Sequence, residues 1–235
     1  MAGRITRKEL KTDKFALEVG QTVDFVTGHR RELILWGSIA ATVVVVGLGI
    51  YLYMRHEHTV REQALGDAVQ MQEAPVATPN SSGRLSFPTD EAKQNAVTKA
   101  FTDIATRFSG SSEAAVAKYY LGSIAADQGK MADAEKWFKE SANEGDKNYA
   151  SLAQFSLGQA YFAEGRPADA EKILRYLMDH STVFVSKEQA TIALAKGIAP
   201  TKLAEAIKLL EPLRVGGGPV AQNAITAIGE LTGQQ

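Results

Sequence analysis

Apolar and polar positions divide the chain sharply. Leu33 to Met54 reads LILWGSIAATVVVVGLGIYLYM, an apolar run without a single charge. At about 1.5 Å per residue a helix of this length reaches about 33 Å, enough to cross a hydrocarbon core of about 30 Å. A helix also closes its own backbone hydrogen bonds where water is absent. Arg30, Arg31 and Glu32 bound the run on one side, Arg55 and Glu57 on the other. Trp36 sits near one end and Tyr51 and Tyr53 near the other, where amphipathic rings suit an interface. The pattern predicts a transmembrane helix over 33–54. Ahead of it, Phe15, Val19, Val23 and Val26 recur at helical spacing, predicting a short amphipathic helix within an N-terminal segment, 1–32. Behind it the helical pattern persists to Ala74, then breaks at Pro75 to Pro88, where Asn80, Ser81, Ser82 and Gly83 also fall. Residues 55–89 thus read as a juxtamembrane helix and a Pro/Ser linker.

From Thr89 onward no run of alternating, β-branched residues appears, and the chain is expected to be all-α. Helices are predicted over 90–108, 113–128, 131–144, 148–164, 167–180, 186–197, 200–214 and 219–232. Thr89 before Asp90 and Glu91, and Ser112 before Glu113, have the chemistry of helix starts. Pro167 and Pro219 suit first-turn positions.

The helices are not independent of one another. Ala132-Asp133-Ala134-Glu135-Lys136 returns 36 residues later as Ala168-Asp169-Ala170-Glu171-Lys172. Leu121-Gly122 returns as Leu157-Gly158, and Gly129 as Gly165, at the same offset. Each unit reads as helix, glycine turn, helix. The first helix carries Leu121, Gly122 and Ala125, matched by Leu157, Gly158 and Tyr161; the second carries Ala134 and Phe138, matched by Ala170 and Leu174. Small and large residues alternate, so paired helices can interlock, and one pair alone cannot bury its apolar face. This signature resembles the tetratricopeptide repeat, whose usual period is about 34. It departs from that pattern in its period of 36, in Lys118 where an aromatic is usual, and in the missing closing proline. Residues 186–214 read as a third, degraded unit with Ala206 and Leu210 in the second helix and a shortened turn at Gly197–Pro200. Residues 90–108 read as a lone second helix, partnered across the linker by 55–74, and 219–232 as an end cap. The domain 90–235 is therefore expected to be an α-solenoid of helix pairs.

The arrangement as a whole resembles the YfgM-like family of bacterial membrane proteins, which have a short cytoplasmic N-terminus, one span and a periplasmic tetratricopeptide domain. That resemblance implies an ancillary partner of the Sec translocon, linked to periplasmic chaperones. The same domain type is shared with a cell-division coordinator soluble in the periplasm, and the span favours the first comparison. The partners implied are translocon subunits, periplasmic chaperones or secreted chains. A structural accessory subunit of a larger membrane complex is the alternative reading.

Charge sharpens this picture. Residues 1–32 hold seven Lys/Arg against two in the first twenty residues after the span, so the N-terminus is expected in the cytoplasm and the C-terminal part in a bacterial periplasm, or in a lumen in a eukaryote. The part after the span holds 19 basic and 22 acidic residues, a balance that argues against nucleic acid. The absence of cysteine excludes disulfides, zinc–thiolate sites and cysteine nucleophiles. His56 and His58, two apart, point to different helix faces and make a poor metal pair. Gly216-Gly217-Gly218 lacks the lysine of a phosphate loop and reads as a turn. Asp133, Glu135, Asp169 and Glu171 sit early in a helix, where the macrodipole favours them over a catalytic role. No catalytic constellation and no cofactor is indicated; binding is the expected role. By repeat position Tyr119, Ser123, Phe155, Gln159 and Phe162 should face the concave groove, with packing between repeats the competing role for the aromatics.

Overall fold

The computed structural model describes residues 30–77 and 85–233. The stretch Phe15–Val26, where an amphipathic helix is expected, lies outside them. The chain divides into two compact units, 1–59 and 60–235. The described part of the first belongs to helix α1, Arg30–Glu73. Its stretch Ile34–Met54 is exposed on every side. This is the one helix among the described residues long and apolar enough to cross a membrane.

The second unit is a succession of antiparallel helices. After the end of α1 come α2 (Asp90–Arg107), α3 (Ser112–Asp127), α4 (Met131–Glu144), α5 (Lys147–Ala163), α6 (Pro167–Asp179), α7 (Lys187–Leu210), a 3-10 turn (Glu211–Arg214) and α8 (Gly218–Gly233). The ends of the linker are tied together by two backbone bonds, from Ala77 N–H to the Phe87 carbonyl and from Phe87 N–H to the Pro75 carbonyl. Thr89 caps α2 by accepting from Ala92 N–H, as its position predicts. The cap of α3 is Ser111, one residue earlier than expected, accepting from Ala114 N–H. Ser186 and Gln189 form a reciprocal capping box at the start of α7.

The 36-residue period is physical. Gly129 and Gly165 both adopt φ +72°, open to glycine and strained for other residues. In each turn the residue after the glycine donates back over the helix end: Lys130 N–H to the Ala125 carbonyl and Arg166 N–H to the Tyr161 carbonyl, both at 2.8 Å. Ala134, Ala170 and Ala206 are fully buried at equivalent places, as are Phe138, Leu174 and Leu210 four residues on. A Cβ on Gly122 would lie 2.6 Å from the Phe138 ring, and one on Gly158 would lie 3.1 Å from Leu174 Cγ. The glycine sets how closely the two helices of a pair approach.

The third pair differs from expectation. Gly197 and Pro200 are helical, and the break falls at Lys202, with φ −137° and ψ 52°. Thr201 stands where the first two pairs have glycine, so no left-handed turn forms there and a single non-helical residue separates the two halves of α7. The second half ends at Leu210, and residues 211–214 tighten into the 3-10 turn. The lone helix α2 has its partner: Ala64, Leu65, Ala68, Val69 and Met71 of α1 pack with Val97, Phe101 and Ile104.

Candidate functional site

In the three pairs that follow α2 the second helix begins after a basic residue in a half-extended conformation: Lys130, Arg166 and Lys202, each 36 apart. Two of these reach back to the preceding repeat. Arg166 Nη1 lies 2.8 Å from Glu135 Oε2, and Lys202 Nζ lies 2.6 Å from Glu171 Oε1. Each glutamate also binds a cation one turn on, Glu135 with Lys139 and Glu171 with Arg175. Tyr161 completes the first node. Its hydroxyl donates to Glu135 and the Arg166 guanidinium stacks 4.0 Å from its ring centroid. Burial and the Glu135 contact both raise the Tyr161 pKa. Glu135 and Glu171 therefore do more than complement a helix dipole: they join one repeat to the next.

Lys118 occupies the usual aromatic position and is buried. Its ammonium bridges Glu144 at 2.6 Å and Glu140 at 3.1 Å on the paired helix α4. Burial works against the charge, but the hydrogen bonds to both carboxylates outweigh it and hold the pKa above the ordinary lysine value. A charged triad thus substitutes for a packed ring.

The five expected groove residues have different fates. Phe155 and Gln159 line a pocket of about 340 Å³, with Gln189, Ile192 and Lys196 of α7 and Asn223 of α8. Phe155 and Phe162 both pack on the core beside Leu174 and Leu194, but Phe162 lies against Gly197, where an added Cβ would sit 2.1 Å from its ring. Tyr119 joins an aromatic cluster, with Phe138 at 5.9 Å and Tyr149 at 6.4 Å between centroids. Ser123 donates to the Tyr119 carbonyl on its own helix. The signature residues Leu121, Gly122, Ala134, Phe138, Leu157, Gly158, Tyr161 and Ala170 are all buried, and Gly129 and Gly165 make the turns. The α7 and α8 contributors had no repeat signal to identify them, because the Leu-Gly pair is lost in the third unit and α8 carries only an alanine face.

No curated protein matches the chain in sequence. Among solved structures, crystals of nearly identical TPR-like repeats from a kinesin light chain-type protein of Podosopora anserina, and of a single-residue variant of it, have the same fold. Each has a TM-score of 0.54 and 12% identity, over 74% of this chain and 87% of the other. The model of one family, the tetratricopeptide repeat-like domain, matches residues 29–181. With helix pairs recurring every 36 residues through that region, the chain belongs to the tetratricopeptide repeat-like domain family.

Proposed function

We propose that this is a single-pass inner-membrane protein whose repeat domain binds other proteins. In this reading it serves as an ancillary adaptor in protein export or envelope assembly at the Sec translocon. The N-terminus lies in the cytoplasm and the repeats in the periplasm. The observation that carries the proposal is the presence in one chain of an apolar helix exposed from Ile34 to Met54 and a tetratricopeptide-like solenoid. So much contiguous apolar surface is costly in water and satisfied in a bilayer. Repeat solenoids of this kind are typically scaffolds for protein interaction rather than catalysts. The seven-to-two bias of basic residues across the apolar run supports the orientation.

The test is crosslinking in intact cells from a photoreactive residue at Phe155, followed by mass spectrometry. Translocon subunits, chaperones or secreted chains are the expected products. One constant set of membrane subunits, retained in fixed ratio through detergent, would replace the adaptor with a structural accessory subunit. Orientation is tested separately, because the chain has no native cysteine. An impermeant maleimide should label Val215→Cys, at a highly exposed position, from outside the inner membrane, and Arg4→Cys only after permeabilisation.

A further inference from the structure

The helix expected to cap the solenoid also completes a pocket. Gln159 projects from α5, Gln189 from α7 and Asn223 from α8, all three exposed around the same 340 Å³ space. Phe155 and Ile192, both half-buried, provide apolar surface between them. Resting on the reading of this protein as a protein binder, we infer that the pocket takes an internal, uncharged stretch of extended polypeptide, gripped by its backbone.

Three features support this occupant. A carboxamide offers both a donor and an acceptor, as does a peptide unit, so amides from three helices can pair with successive backbone groups. The Gln189 carbonyl is already engaged by Ser186 N–H, which fixes that side chain and leaves its NH₂ group as a donor. Charge gives the second feature. Lys196 is the single ionised residue of the lining, and its ammonium lies 2.8 Å from Glu230 on α8. The pocket therefore has no unbalanced cation for a terminal carboxylate, and Glu230 opposes acidic side chains. The third feature is size. The volume is near the low end of the range of about 300–1,000 Å³ for ligand sites. A few extended residues fill such a space.

The experiment uses the full chain in lipid nanodiscs, with empty nanodiscs as the blank. The probe is a dye-labelled peptide of alternating serine and valine with both ends blocked, read by fluorescence anisotropy. Two further probes carry a free C-terminal carboxylate or glutamate in place of serine. The blocked neutral probe should bind best, and Gln159→Ala and Asn223→Ala should each weaken it about 3- to 10-fold. Lys208→Ala, at an exposed position outside the pocket lining, should leave binding unchanged, with melting curves verifying that all variants are folded. The inference is overturned if the neutral probe does not bind, if the Gln159→Ala/Asn223→Ala double variant binds it equally, or if either charged probe binds more tightly. Crosslinking separates this result from the adaptor reading. Partners captured equally by wild type and double variant would overturn the pocket and keep the adaptor. A neutral probe that binds while wild type captures no partner in cells would keep the pocket and overturn the adaptor.

Discussion

Glu135 and Arg166 are 2.8 Å apart across the boundary between two repeats, and Glu171 and Lys202 reproduce that contact one period later at 2.6 Å. The cation in each case stands at the start of the next unit's second helix. The acid stands one turn into the second helix of the unit before. The stacking of the solenoid is thus held by a recurring polar joint as well as by its alanine and leucine core.

That joint makes stability depend on acid. The Lys139 ammonium, followed by the Tyr161 hydroxyl and the Arg166 guanidinium, brings the Glu135 pKa from 4.5 down to about 2, against an opposing effect of burial. A carboxylate lowered in the folded state contributes fully above its unfolded pKa and loses that contribution as pH falls through the folded one. Glu135→Gln should therefore cost about 1–2 kcal/mol at pH 7 and almost nothing near pH 2, with the difference closing below about pH 5. Urea midpoints followed by Trp137 fluorescence in a Trp36→Phe background measure this. Equal costs at both pH values would show that the contact is merely steric.

The two glycines at the helix contacts should respond unequally to alanine. At Gly158 the Leu174 side chain needs to yield only slightly, and the helix gains about 1 kcal/mol of propensity, so Gly158→Ala should be close to neutral. At Gly122 the Phe138 ring lies 2.6 Å from the new carbon and must move bodily. Gly122→Ala should destabilise by about 1–3 kcal/mol, and Phe138→Leu should recover part of that loss in the double variant. Thermal melts of the four proteins decide the matter.

Lys118→Met leaves Glu140 and Glu144 facing one another beside an apolar chain. The expected cost is about 2–3 kcal/mol at neutral pH. The triple variant with Glu140→Gln and Glu144→Gln should recover much of it, as read from urea midpoints. A triple variant no more stable than Lys118→Met would show that the carboxylates are well solvated.

Phe162 separates packing from binding. Because it fills the space beside Gly197, Phe162→Ala should lower the melting midpoint, with a loss of about 2–3 kcal/mol, yet leave peptide affinity of the folded protein nearly unchanged. Phe155→Ala should weaken binding as well as lower the melting midpoint, since Phe155 both lines the pocket and packs on the core.

The repeat boundaries were legible because small residues and glycine leave a strong trace at fixed spacing: Ala134 and Gly129 announce their counterparts directly. The third unit was harder to read, since Thr201 removed the glycine and moved the break to Lys202. Repeat position placed Phe155 and Phe162 in one groove. Only packing against Gly197 distinguishes them. The ionic joint escaped notice for another reason. Its partners lie 31 positions apart on different helices, and an acid near a helix start already has a sufficient local explanation in the dipole. The pocket residues of α7 and α8 come from helices where the signature had faded.

The polar joint also bears on how such an array can lengthen. A duplicated segment of 36 residues placed between the first two repeats would present an acid to the unit after it and a base to the unit before it. Both seams would close without further change. Beyond the third repeat the same manoeuvre fails, for the place of Glu135 and Glu171 is taken there by Ile207, which offers an incoming cation nothing to hold. Growth by copying is open in the middle of this chain and shut at its end.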